Sequence, residues 1–223
     1  MIKNKSAIQE LLDVMAKLRS PSGCPWDREQ NHKSLRFHAV EEVYELIDAI
    51  DANDDVEMAE ELGDLLLQVV FHCQLARERK AFDFEAVCKR ITKKLIHRHP
   101  HVYAKGKVKD VAAVWAQWEQ IKRAEKKGTK HERPSALDGI PKHLPSLMRA
   151  EKLVKKARKA GLEIPAKKTP KFRKHSKAQI SQELFELSQY AQSRGWSAEA
   201  LLRSELKRVE RACRRVENTA KAS

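Results

Sequence analysis

Apolar residues recur every three or four positions along most of the chain, with charged residues between them. Near the start, for example, Ile8, Leu11, Leu12, Met15 and Leu18 fall on one face of a helix. No segment offers a competing strand pattern, so the sequence predicts an all-α protein built as an antiparallel helical bundle. The predicted helices cover about residues 4–19, 34–52, 56–80, 84–98, 109–127, 146–160, 178–194 and 197–218.

Clusters of Pro, Gly and Asp separate these helices. Residues 20–25 hold two prolines and a glycine, which end the first helix because they cannot continue it. Residues 53–55 (Asn-Asp-Asp) are typical of a turn and a helix N-cap, so the helices on either side should run antiparallel. Residues 128–145 are predicted to be a loop, and the Pro- and Lys-rich residues 161–177 to be irregular.

The charge is distributed unevenly along the chain. The 223 residues (25.6 kDa) carry a formal net charge of +14. Residues 1–100 hold 15 Lys/Arg and 18 Asp/Glu, while residues 101–223 hold 30 and 13. The acidic half is a poor platform for nucleic acid but is well suited to hold cations. The basic half is either a solvated face or a surface for the phosphates of a nucleotide or RNA.

Composition also indicates where the protein works. No apolar run approaches the ~18–20 residues needed to span a bilayer, and the N-terminus lacks the apolar core of a signal peptide. The four cysteines show no metal-binding spacing and are expected to be reduced thiols. We therefore expect a cytoplasmic protein without a membrane partner.

Two pairs of carboxylates are the most informative feature. Glu42 and Glu45 are three residues apart, as are Glu61 and Asp64, so each pair lies on one helix face. The turn at 53–55 should bring the two pairs opposite each other, where they repel unless a cation neutralises them. Mg²⁺ suits such oxygen ligands, and Gly63 between the acids suggests a close approach of another group. The alternative is that these acids are ordinary solvent-facing residues.

Further motifs surround these acids. They are Leu18-Arg19, Gly23-Cys24-Pro25-Trp26-Asp27, Gln30, His32, Glu41-Glu42 with Glu45, Glu61-Leu62-Gly63-Asp64 and the residues up to His72, Arg98-His99-Pro100-His101-Val102, and Trp118-Glu119 with Lys122. Over about residues 5–127 this set resembles the MazG family of nucleoside triphosphate pyrophosphohydrolases. The resemblance implies an all-α fold, a homodimer, dependence on Mg²⁺ (with Mn²⁺ as a substitute), and hydrolysis of nucleoside triphosphates to monophosphate and pyrophosphate at the α–β phosphoanhydride.

The resemblance also implies roles for particular residues. The metal ligands would be Glu42, Glu45, Glu61 and Asp64, and one of these acids or Glu41 would accept the proton of the attacking water. The residues that would bind the nucleotide and its phosphates are Lys94, Arg98, Trp118 and Lys122. A Trp ring can stack on any base, which suggests a broad range of bases.

The C-terminal part resembles a second, shortened copy of the family domain that has lost its acids. Gln179 and Gln182 stand where carboxylates are expected, and Ala212 stands where an arginine is expected, although Arg208 matches the family lysine. We therefore expect three parts: a MazG-like catalytic domain (1–127), a linker with one helix (128–164), and a basic, degenerate second repeat (165–223). The competing hypotheses are a catalytically weak nucleotide-binding or regulatory protein, and a basic RNA- or DNA-binding module.

Overall fold

The computed structural model describes residues 5–104, 108–130, 132–164 and 175–222, and the regular elements within these ranges are helices, with no strand. The all-α prediction is confirmed. The helices are α1 (Ala7–Leu18), α2 (Pro25–Glu29), α3 (His38–Ala52), α4 (Asp55–Glu78), α5 (Phe84–Arg98), α6 (Pro100–Tyr103), α7 (Val111–Ala124), α8 (Ser146–Lys159), α9 (Lys177–Ser193) and α10 (Ala198–Ala222).

The two short helices, α2 and α6, were not expected from the sequence. Each begins with a proline, Pro25 or Pro100. Proline breaks a helix from within but is favoured at its first position, where its missing N–H would have no helical partner. Pro100 begins α6 with only His99 between it and the end of α5, and Pro25 begins α2 after the break at residues 19–24. Among the described residues, no helix combines the length and apolar character that crossing a bilayer requires.

The chain forms two compact units, Met1–Val111 and Ala112–Ser223. Helix α7 thus falls in the second unit, whereas the domain expected over residues 1–127 included it. The predicted irregular stretch 161–177 falls largely on residues 165–174, which lie outside the described residues. The four cysteines, Cys24, Cys73, Cys88 and Cys213, are free thiols, as expected.

An antiparallel hairpin of α3 and α4 forms the centre of the first unit. Asn53 ends α3 in the left-handed conformation with φ of 55°. Asp54 caps α4, since its Oδ1 accepts hydrogen bonds from the backbone N–H groups of Val56 (3.0 Å) and Glu57 (3.1 Å). The predicted turn at 53–55 is confirmed. Helix α1 packs against α4 over a core of Met15, Leu35, Val70, Phe71 and Leu75.

The segment after α1 is fixed by Arg19. Its guanidinium donates to both carboxylate oxygens of Glu78 at 2.7 Å and to the backbone carbonyl of Asp27. It also lies 5.5 Å from the centre of the Phe71 ring. One side chain therefore links the end of α1 to α2 and α4. The motif from Leu18 to Asp27 thus has a structural role.

The second unit packs α8 against α10 over Leu137, Leu153, Ala157, Leu206 and Cys213. The loop predicted over 128–145 is held by a side chain of α10. Glu217 is buried and accepts hydrogen bonds from the Ser135 hydroxyl (2.5 Å) and the Ala136 N–H (2.8 Å). At the start of α9, Ser176 and Gln179 form a reciprocal capping box.

Candidate metal centre

Three of the four predicted ligands converge in the first unit. Glu42 and Glu45 on α3 and Glu61 on α4 each place one carboxylate oxygen within 4.8 Å of those of the other two. The i, i+3 spacing puts Glu42 and Glu45 on one face of α3, and the hairpin turns α4 back so that Glu61 faces them. Glu42 and Glu61 are half-buried and Glu45 is exposed.

The electrostatics of the group favour a bound cation. Loss of hydration beside its neighbours raises the pKa of the Glu45 carboxyl above its ordinary value, and the charges of Glu42, Glu41 and Asp64 raise it further. The pKa of Glu61 is raised by burial and then by Glu45 and Asp64. Crowded carboxylates of this kind resist ionisation until positive charge is supplied. All donors here are oxygens, so the residues fit a hard divalent cation.

Asp64 and Glu41 lie at the edge of this group. Asp64 is half-buried, and it is close enough to raise the pKa of both Glu45 and Glu61, but its carboxylate is not within the converging set. Glu41 is exposed and faces His38, with 3.7 Å between its Oε2 and Nδ1 of the histidine. The predicted role of Asp64 as a metal ligand and that of Glu41 as a proton acceptor stay predictions.

Gln68 is a site residue to which the sequence pattern assigned no role. It is buried on α4, and its Nε2 donates a hydrogen bond of 3.1 Å to Oε1 of Glu42. The bond joins α4 to α3 and fixes one carboxylate of the group. The spacing in the sequence could have indicated this role, because Gln68 follows Asp64 by one helical turn and therefore lies on the same face of α4.

Gly63 does not have the role that its position suggested. A Cβ added there would meet no atom of the chain within 4 Å. The expectation of a close approach at Gly63 is therefore wrong for the single chain. The α3–α4 hairpin brings the acids together without a close approach at Gly63.

Lys94 and Arg98 lie one turn apart on α5, which packs against α4 in the same unit. Lys94 is exposed, and Arg98 is half-buried near the C-terminus of the helix. Both residues are cations on an element next to the carboxylate group. Their role in binding phosphates stays a prediction.

Trp118 and Lys122 lie on α7, in the second unit. The Trp118 ring meets the Trp115 ring edge-on, with 5.3 Å between centroids. The Lys122 Nζ lies 5.9 Å from the centre of the Trp118 ring and 3.3 Å from Oε1 of Glu119. The two residues thus form a local cation–π pair. Their predicted contact with a nucleotide stays a prediction.

Comparison with known families accounts for the acidic hairpin. The family model described as the MazG nucleotide pyrophosphohydrolase domain matches residues 30–103. This range contains Glu42, Glu45, Glu61 and Asp64 together with Lys94 and Arg98. Residues 30–103 therefore match the MazG domain model, and the family resemblance indicated by the motifs is confirmed.

Curated relatives bear the same family's activity in their names. The "Nucleoside triphosphate pyrophosphohydrolase" of Escherichia coli (strain K12) is 45% identical over 157 residues, 70% of this chain and 59% of that protein. The "Nucleoside triphosphate pyrophosphohydrolase/pyrophosphatase MazG" of Thermotoga maritima is 47% identical over 155 residues, 70% of this chain and 58% of that protein. The chain thus spans somewhat less than three fifths of the length of these relatives.

A solved structure is also similar. The crystal structure of a mazG-related protein from Thermotoga maritima aligns with 51% of this chain and 97% of its own length. The TM-score is 0.44 and the sequence identity is 24%.

Proposed function

We propose that this protein is a Mg²⁺-dependent nucleoside triphosphate pyrophosphohydrolase that releases pyrophosphate and leaves a nucleoside monophosphate. The observation that carries the proposal is the convergence of Glu42, Glu45 and Glu61 within a MazG domain. The names of the relatives from E. coli and T. maritima support the same reaction. We further propose that cleavage occurs at the α–β phosphoanhydride and that the range of bases is broad.

The cation would be held by Glu42, Glu45 and Glu61, with Asp64 as the nearby fourth acid. Mg²⁺ is the proposed ion, with Mn²⁺ as a substitute, because both prefer oxygen ligands. When bound, such an ion offsets phosphate charge and lowers the pKa of water. Gln68 would hold the Glu42 carboxylate in place, since it donates to one oxygen and leaves the other for the ion.

The remaining residues would bind substrate and handle protons. Lys94 and Arg98 would neutralise the charge of phosphate oxygens. The guanidinium of Arg98 can donate hydrogen bonds to two oxygens at the same time. On α7, Trp118 would stack on the base and Lys122 would add a positive charge. Glu41, or one of the four acids, would accept the proton of the attacking water.

We also propose that the protein is a cytoplasmic homodimer. Among the exposed apolar side chains of the hairpin, three on each helix are spaced i, i+4, i+7, so the three of one helix share one face. We name them the α3–α4 apolar residues: Val43, Ile47, Ile50, Leu62, Leu66 and Val69. A contiguous apolar surface of this kind marks an interface in proteins that work in water.

A matched pair of variants tests the proposed reaction. Glu61→Gln removes a charged ligand while keeping its size, whereas Glu60→Gln removes the same charge from the neighbouring exposed position on α4. We expect Glu61→Gln to lower Mg²⁺-dependent pyrophosphate release from a panel of nucleoside triphosphates by more than about 100-fold. Glu60→Gln should retain the wild-type rate. Equal rates in the two variants would show that the carboxylate group is not the catalytic centre.

A further inference from the structure

We propose a second anion site, in the second unit, that binds small ligands with linked phosphate groups. A cavity of about 750 Å³ lies between α8, α10 and the segment 137–143. Its basic lining residues are Lys142, Arg149, Arg203, Lys207, Arg211 and Arg214. This proposal goes beyond the hydrolase function and does not depend on it, because none of these residues belongs to the carboxylate hairpin.

Arg149 is the first observation that points to a ligand. Only 6% of its surface is exposed, so its charge is held inside the protein at the wall of the cavity. Its Nη2 donates to Glu210, while its Nε and Nη1 are buried without a hydrogen-bond partner. A buried guanidinium that is only partly satisfied is costly, and a nearby anion would offset that cost.

The two carboxylates of the cavity do not balance its positive charge. Glu210 is shared between Arg149 and Arg214, with 2.8 Å between its Oε1 and Nη2 of Arg214. Asp138 also contacts Arg214, at 2.8 Å. Both acids are therefore already engaged by guanidinium groups. Arg203 in addition forms an ion pair with Glu199, which is not part of the lining. Six cations facing three acids still leave an excess of positive charge in a concave site, where field lines are concentrated.

Two cations are positioned to meet an incoming ligand. Lys142 and Lys207 are exposed, and among the described residues neither forms an ion pair or a side-chain hydrogen bond. Arg211 on the next turn of α10 is also exposed; its Nε donates to the backbone carbonyl of Lys207 at 3.3 Å. The side chains of Lys142 and Lys207 can therefore fold over a bound anion without losing an existing partner.

The chemistry of the lining defines the class of ligand. Guanidinium and ammonium groups from several directions match the many oxygens of a diphosphate or triphosphate. The size of the cavity accommodates a small molecule, and its concave form favours that over the backbone of a duplex. Since both acids are engaged by arginine, the site offers no free carboxylates for a metal. We therefore expect it to bind phosphate groups without a divalent cation.

Calorimetry on the full chain tests this site. Inorganic pyrophosphate and ADP are titrated separately in the presence of EDTA, so that free phosphate and nucleotide ligands are distinguished. The test variant is Lys207→Ala/Arg211→Ala, which changes two exposed side chains of the cavity. The control is Lys155→Ala/Arg215→Ala, which removes the same charges from exposed positions of α8 and α10 that do not line it. Lys94→Ala is titrated as well, because the proposed substrate site would also attract phosphate.

We expect at least one of the two ligands to bind to the wild type and the control equally, and about tenfold or more weakly to Lys207→Ala/Arg211→Ala. Affinity that is lost in Lys94→Ala and kept in Lys207→Ala/Arg211→Ala would overturn the proposal, as would equal losses in the test and control variants. The last measurement is the binding of a fluorescent oligonucleotide to the wild-type chain. If the oligonucleotide binds and neither pyrophosphate nor ADP does, the basic surface binds nucleic acid and the proposal is wrong.

Discussion

His32 and His72 form a close, stacked pair in the first unit. Their Nδ1 atoms are 2.8 Å apart, and the rings stack with 5.1 Å between centroids. One Nδ1 must donate and the other must accept. Burial lowers the pKa of His72 from its ordinary value of 6.5, and the neighbouring His32 lowers it further. His72 in the folded chain therefore resists protonation more than a histidine in the unfolded chain does.

This pair predicts a pH dependence of stability. Above pH 6.5 His72 is neutral in both the folded and the unfolded chain, so it contributes no slope. Near and below that pH His72 binds a proton more readily in the unfolded chain than in the folded chain, so the free energy of unfolding falls. We expect the melting temperature to drop between pH 7 and pH 5.5, and His72→Gln to reduce this drop, as measured by circular dichroism. His97→Gln, at an exposed position, is the control and should keep the wild-type slope.

The sequence was sufficient to predict which side chains lie together where helical spacing alone determines the face on which a residue lies. Glu42, Glu45 and Glu61 could be assigned because helical periodicity and one turn determine which way they face. Asp64 was expected within the same group but lies at its edge, because the direction of a side chain depends on its rotamer and neighbours. Gln68 was missed for a related reason, since a hydrogen bond between two helices has no signature in either helix alone.

Helix boundaries were predictable where a side chain caps the backbone. Asp54 and Asp83 accept hydrogen bonds from the first N–H groups of α4 and α5, and both helices begin where the sequence indicates. Helices α2 and α6 were missed because a proline is favoured both in a break between helices and at the first position of a helix, and the sequence does not distinguish the two. The length of α7 was overestimated at both ends. Local capping chemistry is visible in a sequence, whereas the packing that stops a helix is not.

Two glycines of the first unit are expected to respond oppositely to alanine. A Cβ at Gly63 of α4 meets nothing within 4 Å, so Gly63→Ala should stabilise the protein by up to about 1 kcal/mol through helix propensity. A Cβ at Gly23 would lie 2.1 Å from the backbone carbonyl of Leu18, so Gly23→Ala should cost about 1–3 kcal/mol.

Urea denaturation of the full chain measures both effects. The wild-type chain is the reference for each. A loss of stability in Gly63→Ala would contradict an open surface at that point of α4. An unchanged midpoint in Gly23→Ala would contradict the tight approach to the end of α1.

For the whole molecule, the α3–α4 apolar residues predict the state of assembly. Ile47 is 44% exposed in the single chain, so Ile47→Asp should leave the fold intact and disrupt an interface. Val14→Asp is the control, since Val14 is 54% exposed on α1 and lies outside that face. Light scattering at micromolar concentration should give twice 25.6 kDa for the wild type and the control, and 25.6 kDa for Ile47→Asp.

A wild-type mass of 25.6 kDa would show that the apolar face is not an interface between copies. A dimer that survives Ile47→Asp would place the interface elsewhere. In either case circular dichroism distinguishes a change in assembly from unfolding, because a folded monomer keeps its helical signal.

The capping box of α9 has a consequence for how this chain could change over evolutionary time. Ser176 and Gln179 cap the helix through hydrogen bonds that a glutamate at 179 would make equally well. Folding therefore imposes no choice between the amide and the acid at this position. Selection for helix stability alone would let the residue drift between them, and the charge of α9 would change without loss of the fold. Because Gln and Glu codons differ by a single nucleotide, the exchange can occur by one mutation in either direction.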